Sequence, residues 1–239
     1  MHGFQVTGQA IIGALRQVRF SVAVEGERVP GTVYVPLDAD AAMPLVLIQH
    51  PGMGSKDDYF VDEPAKVWAQ RGWVCGGIDA PLHGERDEHD PMRVFRDPGA
   101  GAKVAAQFAA ELTATVDALA EELTIDLSRL GYVGYSLGAM LGVRALAGDG
   151  RFRAAALCLV GEGGLLGPAR GEGSVLPGLA GVAVRILGKT ADELIPRAAT
   201  EALYDALPGE KDLVWLAGGH FEIGDDVIRA AGEWLRQRL

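Results

Sequence analysis

The sequence predicts an α/β protein with a mostly parallel central sheet and helices on both faces. Three observations carry this. Several short runs, such as Leu45-Val46-Leu47-Ile48, are apolar on consecutive residues, as expected of strands covered on both sides. After a first antiparallel pair, strand and helix patterns alternate to the end of the chain. No repeat or linker interrupts the 239 residues, so 1–239 is expected to form a single domain.

Taken in order, Arg19–Glu25 and Gly31–Pro36 alternate apolar and polar residues and read as an antiparallel pair, with Gly26-Glu27-Arg28 in the turn. The strand Leu45–Ile48 follows, then a helix over Asp62–Gln70 and a strand over Trp73–Ile78. Asp79–Gly101, rich in Pro, His and charge, is expected to be irregular. Ala102–Leu123 carries Val104, Phe108, Leu112, Val116, Leu119 and Leu123 on one stripe of an amphipathic helix. Arg129–Tyr135 is a strand and Leu137–Leu146 a helix of small residues. Ala154–Val160 is another buried strand, leading into a Gly-rich border over Gly161–Gly181 without a convincing period. Val182–Leu187 (strand), Glu193–Leu207 (helix), Asp212–Leu216 (strand) and a helix from about Asp225 complete the pattern.

Composition narrows the function. With 49% hydrophobic and 23% charged residues the chain is ordinary for a globular protein, and at this length roughly 70–75% of the unfolded surface can be buried. A net charge of −10 and no Lys/Arg cluster argue against nucleic acid as a partner. No apolar run approaches the roughly 20 residues that span a bilayer. The start, Met1-His2-Gly3-Phe4-Gln5, lacks a signal-peptide pattern, so a soluble cytoplasmic protein is expected. Cys75 and Cys158 each fall inside a strand-like run and read as small buried hydrophobes, not as a disulfide.

Chemistry concentrates in Gly134-Tyr135-Ser136-Leu137-Gly138, where a strand runs into a helix. A serine in a strand-to-helix turn needs glycine two residues to either side, and the helix N-terminus points N–H groups toward developing negative charge. Asp192 follows the strand Val182–Leu187, and His220 follows the last strand. Both therefore sit on loops at the carboxyl edge of the sheet, with Ser136, where α/β sheets build their sites. Glu162, after Ala154–Val160, is the alternative acid. His50 and His83 lack a third ligand at metal spacing and read as hydrogen-bonding within their own loops; no metal site is expected. Asp87, Glu88, His89 and Asp90 read as a solvated charge run.

These residues resemble the α/β-hydrolases, in particular dienelactone-hydrolase-like and prolyl-oligopeptidase-like esterases. The resemblance rests on the Gly134–Gly138 elbow, the Gly188-x-x-x-Asp192-Glu193-x-x-Pro196 loop, Gly218-Gly219-His220-Phe221, the loop His50–Asp58, and Asp79-Ala80-Pro81-Leu82-His83-Gly84. It implies an α/β-hydrolase fold without a large lid domain. It also implies a serine esterase with Ser136 as nucleophile, His220 as base and Asp192 as orienting acid, needing no cofactor and acting on a small or medium soluble ester. The oxyanion hole would use the N–H groups of Leu137 and of Gly52 or Met53. Proline at position 51, where the family usually has glycine, has no N–H to donate. Dienelactone hydrolases proper carry cysteine where Ser136 stands. An acyltransferase, thioesterase or peptidase using the same three residues, or a non-catalytic binding protein on this fold, are the alternatives.

Overall fold

A computed structural model describes residues 3–38 and 41–239; Met1 and His2, part of the N-terminal stretch read above, lie outside the described residues. Among the described residues nine strands form one sheet: β1 (Gln5–Ile12), β2 (Leu15–Val24), β3 (Glu27–Pro36), β4 (Met43–Gln49), β5 (Val74–Ile78), β6 (Ile125–Tyr135), β7 (Phe152–Cys158), β8 (Ala183–Lys189) and β9 (Lys211–Leu216). Their spatial order is β1-β2-β3-β5-β4-β6-β7-β8-β9. The first three strands and the β3–β5 pair are antiparallel, and every pairing from β5 to β9 is parallel.

The double burial of the central strands follows from helices on both sides. Leu45 and Leu47 of β4 face the layer of α3 (Pro98–Glu122), α4 (Leu137–Gly148) and α5 (Arg197–Ala206). Val46 and Ile48, one residue out of phase, face α1 (Tyr59–Ala69) and α6 (Asp225–Arg236). That alternation explains why the sequence shows a continuous apolar run there.

Several element ends differ from the sequence reading for local reasons. β1 escapes notice because nearly all of it is exposed, so no buried face imposes a pattern. The β2–β3 turn is Glu25-Gly26, both at positive φ, which is the backbone of a two-residue hairpin and leaves Glu27 and Arg28 inside β3. The stretch Asp79–Gly101 contains a single helical turn, α2 (Arg93–Arg96), and the start of α3. Asp97 caps α3 by accepting the Gly99 N–H at 2.9 Å, with Pro98 at the first helical position. At the other end of the chain α5 begins at Arg197 instead of Glu193, because Pro196 disfavours helix in the residue before it. Gly161–Gly181 holds only two short 3₁₀ turns.

The chain leaves β4 toward β5 on one side, while β6 pairs on the other, with Gln49 opposite Gly134. This reversal opens a crevice at the carboxyl ends of β4 and β6, the place where such sheets receive ligands.

Candidate active site

Ser136 stands at the crest of that crevice, between the end of β6 and the first residue of α4, with φ 49° and ψ −107°. A non-glycine residue there is strained, and the neighbours leave it no alternative. A Cβ on Gly138 would lie 2.5 Å from the Gln49 carbonyl oxygen, and one on Gly134 would lie 2.6 Å from the Ala139 nitrogen. Tyr132, fully buried, donates its hydroxyl to the Gly138 carbonyl at 2.7 Å and fastens the first turn of α4.

The structure brings Ser136, His220 and Asp192 together. Ser136 Oγ is 2.8 Å from His220 Nε2, and His220 Nδ1 lies 2.9 and 3.0 Å from the two carboxylate oxygens of Asp192. Asp192 Oδ1 also accepts the N–H groups of Leu194 at 2.9 Å and Ile195 at 2.7 Å, which fixes the carboxylate. A proton on Nδ1 satisfies that carboxylate and leaves Nε2 as an acceptor for the serine hydroxyl. Glu162, the alternative acid, is exposed, and among the described residues its carboxylate makes no bond to His220.

Two further carboxylates hold the histidine loop, and sequence reasoning gave them no role. Glu193 accepts the His220 N–H at 2.8 Å and Glu222 accepts the Gly219 N–H at 2.9 Å. Buried Lys189 adds bonds to the Ala217 carbonyl at 2.9 Å and to Asp226 at 3.0 Å. The position of Glu193 beside Asp192 and that of Glu222 two residues after His220 hint at this; Lys189 reaches Ala217 and Asp226 through folding.

The loop after β4 lies beside the serine. Gly52 faces Leu137 closely, since a Cβ there would stand 3.9 Å from Leu137 Cβ and 3.1 Å from the Phe95 ring. The Leu137 N–H belongs to the first turn of α4 and so has no partner within the helix. Among the described residues no acceptor is found for the N–H of Gly52 or Met53. Met53 is at φ 67° with its side chain 68% exposed. Phe95 packs against Gly52 and Phe221 against His220, and both rings are exposed, as are Met53 and Leu194 on the loops of Gly52 and Asp192.

Behind the loop lies a polar lock. His50, fully buried, accepts the Ala80 N–H on Nε2 at 3.0 Å and donates from Nδ1 to the Pro51 carbonyl at 2.8 Å. Burial pushes its pKa down to about 4, so the ring is neutral. His83, also lowered by burial, donates to the Pro81 carbonyl at 2.8 Å. Completely buried Asp79 accepts the Lys56 N–H at 2.9 Å, the Glu85 N–H at 2.8 Å and the Lys56 ammonium at 3.1 Å. Burial alone would pull the Lys56 pKa down, but Asp79, Asp57 and Glu85 around the ammonium hold it above its usual value.

The remaining sequence candidates lie elsewhere. Asp87, Glu88 and Asp90 form exposed ion pairs with Arg28, Arg93 and Arg96. Cys75 and Cys158 are free and fully buried, and burial raises both thiols well above their ordinary pKa. Among the described residues no group of three His, Cys, Asp or Glu side chains is placed to hold a metal ion, and no helix is long and apolar enough to cross a membrane.

No protein-family model matches the sequence, and no curated protein matches it. Solved structures do. A cold-adapted esterase from an Arctic intertidal metagenomic library, in complex with polyethylene glycol, is 28% identical over 98% of this chain and 99% of its own, with a TM-score of 0.84. An acetyl xylan esterase from Paenibacillus sp. R4 aligns over all of this chain and 90% of its own at 16% identity and a TM-score of 0.77. A Klebsiella pneumoniae protein put forward as a dienelactone hydrolase aligns over 94% of this chain and all of its own at 20% identity and a TM-score of 0.73. The last two, at such low identity, speak for the fold alone.

Proposed function

We propose that this chain, an α/β-hydrolase in fold, is a serine hydrolase of small or medium carboxylic esters, using Ser136, His220 and Asp192. The observation that carries the reading is the unbroken line from Ser136 Oγ through the imidazole to the Asp192 carboxylate, with links of 2.8 and 2.9 Å. The likeness to an esterase along nearly the whole chain supports ester hydrolysis in particular.

In this reading His220 takes the serine proton as Oγ attacks the ester carbonyl, and Asp192 holds the tautomer and steadies the imidazolium. The N–H groups of Leu137 and of Gly52 or Met53 receive the oxyanion; removing one such donor costs about 10²–10³ in rate. His220 returns the proton to the departing alcohol, then activates a water that releases the acyl group. No step calls on a cofactor. Residues 1–239 act as one unit, and two unpaired buried cysteines suit a reducing compartment such as the cytoplasm.

The test is hydrolysis of p-nitrophenyl acetate, butyrate and octanoate by the wild type and by Ser136→Ala. Turnover in the wild type that vanishes in the variant is expected. Equal rates in the two proteins would end the proposal.

A further inference from the structure

A cavity of about 440 Å³ opens between α2, α3, α4 and the Gly-rich border, within the roughly 300–1,000 Å³ of small-molecule sites. Its place relative to Ser136 is fixed at two points. Phe95, which lines it, is the ring packed against Gly52. Arg144, which also lines it, lies on α4, the helix that starts at Ser136. Eight residues separate the two along α4, or about 12 Å of helix axis.

The walls are otherwise apolar or without side chains: Val94, Phe95, Ala102, Ala105 and Leu165 beside glycines and Pro168. Arg144 is the one charged side chain in the lining. It is exposed, and among the described residues it forms no ion pair. A mostly apolar cavity, bordered by Phe95 on the Gly52 side and carrying a guanidinium about 12 Å further along the axis of α4, matches a hydrocarbon chain with an anionic end, because the chain gains by burial and the guanidinium binds carboxylate through paired N–H donors.

Resting on the esterase reading above, we propose that this cavity is the substrate-chain subsite and that Arg144 selects esters whose chain ends in a carboxylate. The site then prefers half-esters of dicarboxylic acids, or esters of hydroxy acids, to neutral esters of equal length.

The experiment compares kcat/KM within two matched pairs. One places the chain on the acyl side, mono-p-nitrophenyl suberate against p-nitrophenyl octanoate; the other places it on the alcohol side, 8-acetoxyoctanoate against octyl acetate. A preference of roughly two- to fivefold for the carboxylate ester in one pair is expected, the size of a partly exposed ion pair. Arg144→Gln should bring that ratio to about one, and Arg144→Glu should take it below one. Ala102→Phe, which fills the cavity from an exposed helical position, should lower kcat/KM for both long esters relative to p-nitrophenyl acetate. A wild-type ratio near one in both pairs overturns the proposal, and so does a preference that survives Arg144→Glu. Hydrolysis of all the esters that persists in Ser136→Ala overturns the serine-hydrolase reading and the subsite with it, a pattern distinct from a lost preference.

Discussion

Asp79→Asn probes the lock that carries the loop after β4. The carboxylate accepts three hydrogen bonds in a fully buried setting, two from backbone N–H groups and one from the Lys56 ammonium. Asparagine keeps one oxygen and turns an NH₂ group toward a donor that needs an acceptor. Breaking one side of a buried ion pair costs about 3–5 kcal/mol. Lys56 retains Asp57 and the half-exposed Glu85, so the lower end, about 3 kcal/mol, applies here. For a chain of this length each kcal/mol moves Tm by about 2–4 °C, which gives a fall of about 6–12 °C. The same loop holds the Gly52 and Met53 N–H groups, and small misplacements of reacting groups cost up to about 10² in rate. Thermal unfolding by circular dichroism, read beside steady-state hydrolysis of p-nitrophenyl butyrate, measures both effects. We expect the Tm drop together with a fall in kcat of about tenfold or more and little change in KM. A Tm within about 2 °C of wild type and an unaltered kcat would show that the lock neither stabilises the fold nor positions the loop.

Other expectations address the remaining parts of the site. Asp192→Asn should lower kcat by about 10⁴, because the amide favours the wrong imidazole tautomer; Glu162→Gln should leave it within about twofold, and a reversal of these two results would exchange the acids. His50 stays neutral in the folded protein down to about pH 4 but protonates near 6.5 once unfolded. The unfolded chain therefore binds the extra proton between those values, and stability declines as pH falls through that window, levelling off below it. Urea midpoints at pH 7, 5.5 and 4.5 should show a steeper decline for the wild type than for His50→Gln, and parallel declines would contradict the assignment. Gly138→Ala places a methyl 2.5 Å from a backbone oxygen that has no room to yield, and should cost more than about 3 kcal/mol in a denaturant titration; a smaller loss would mean that the elbow adapts.

What the sequence conveys about this molecule depends on how local the cause is. The parallel strands are legible because burial on two faces leaves unbroken apolar runs, as in Met43–Gln49. The Gly134–Gly138 turn is legible because steric exclusion acts over five residues. Asp97 and Pro98 were a readable helix start, obscured by the glycines and alanines that follow. β1 was hidden because an exposed edge strand has no pattern to display. Glu193, the Lys56–Asp79 pair and the Phe95–Gly52 contact join residues between 23 and 43 positions apart. Apart from the place of Glu193 next to Asp192, nothing in either partner's neighbourhood announces such contacts.

The wide spacing of the three central side chains also bears on how the protein comes into being. Ser136 and His220 are 84 residues apart, and Asp192 is 28 residues from His220. β9 and the loop after it must therefore be synthesised and docked before the imidazole reaches the serine, long after the first hairpin has been able to close. Closing such separations between parallel strands is slow compared with local helix formation. During refolding from denaturant, helical signal should return first and catalytic competence last. A ribosome-bound chain ending before β9 would hold its serine in place and do no chemistry, which keeps a reactive hydroxyl idle until the whole sheet has closed.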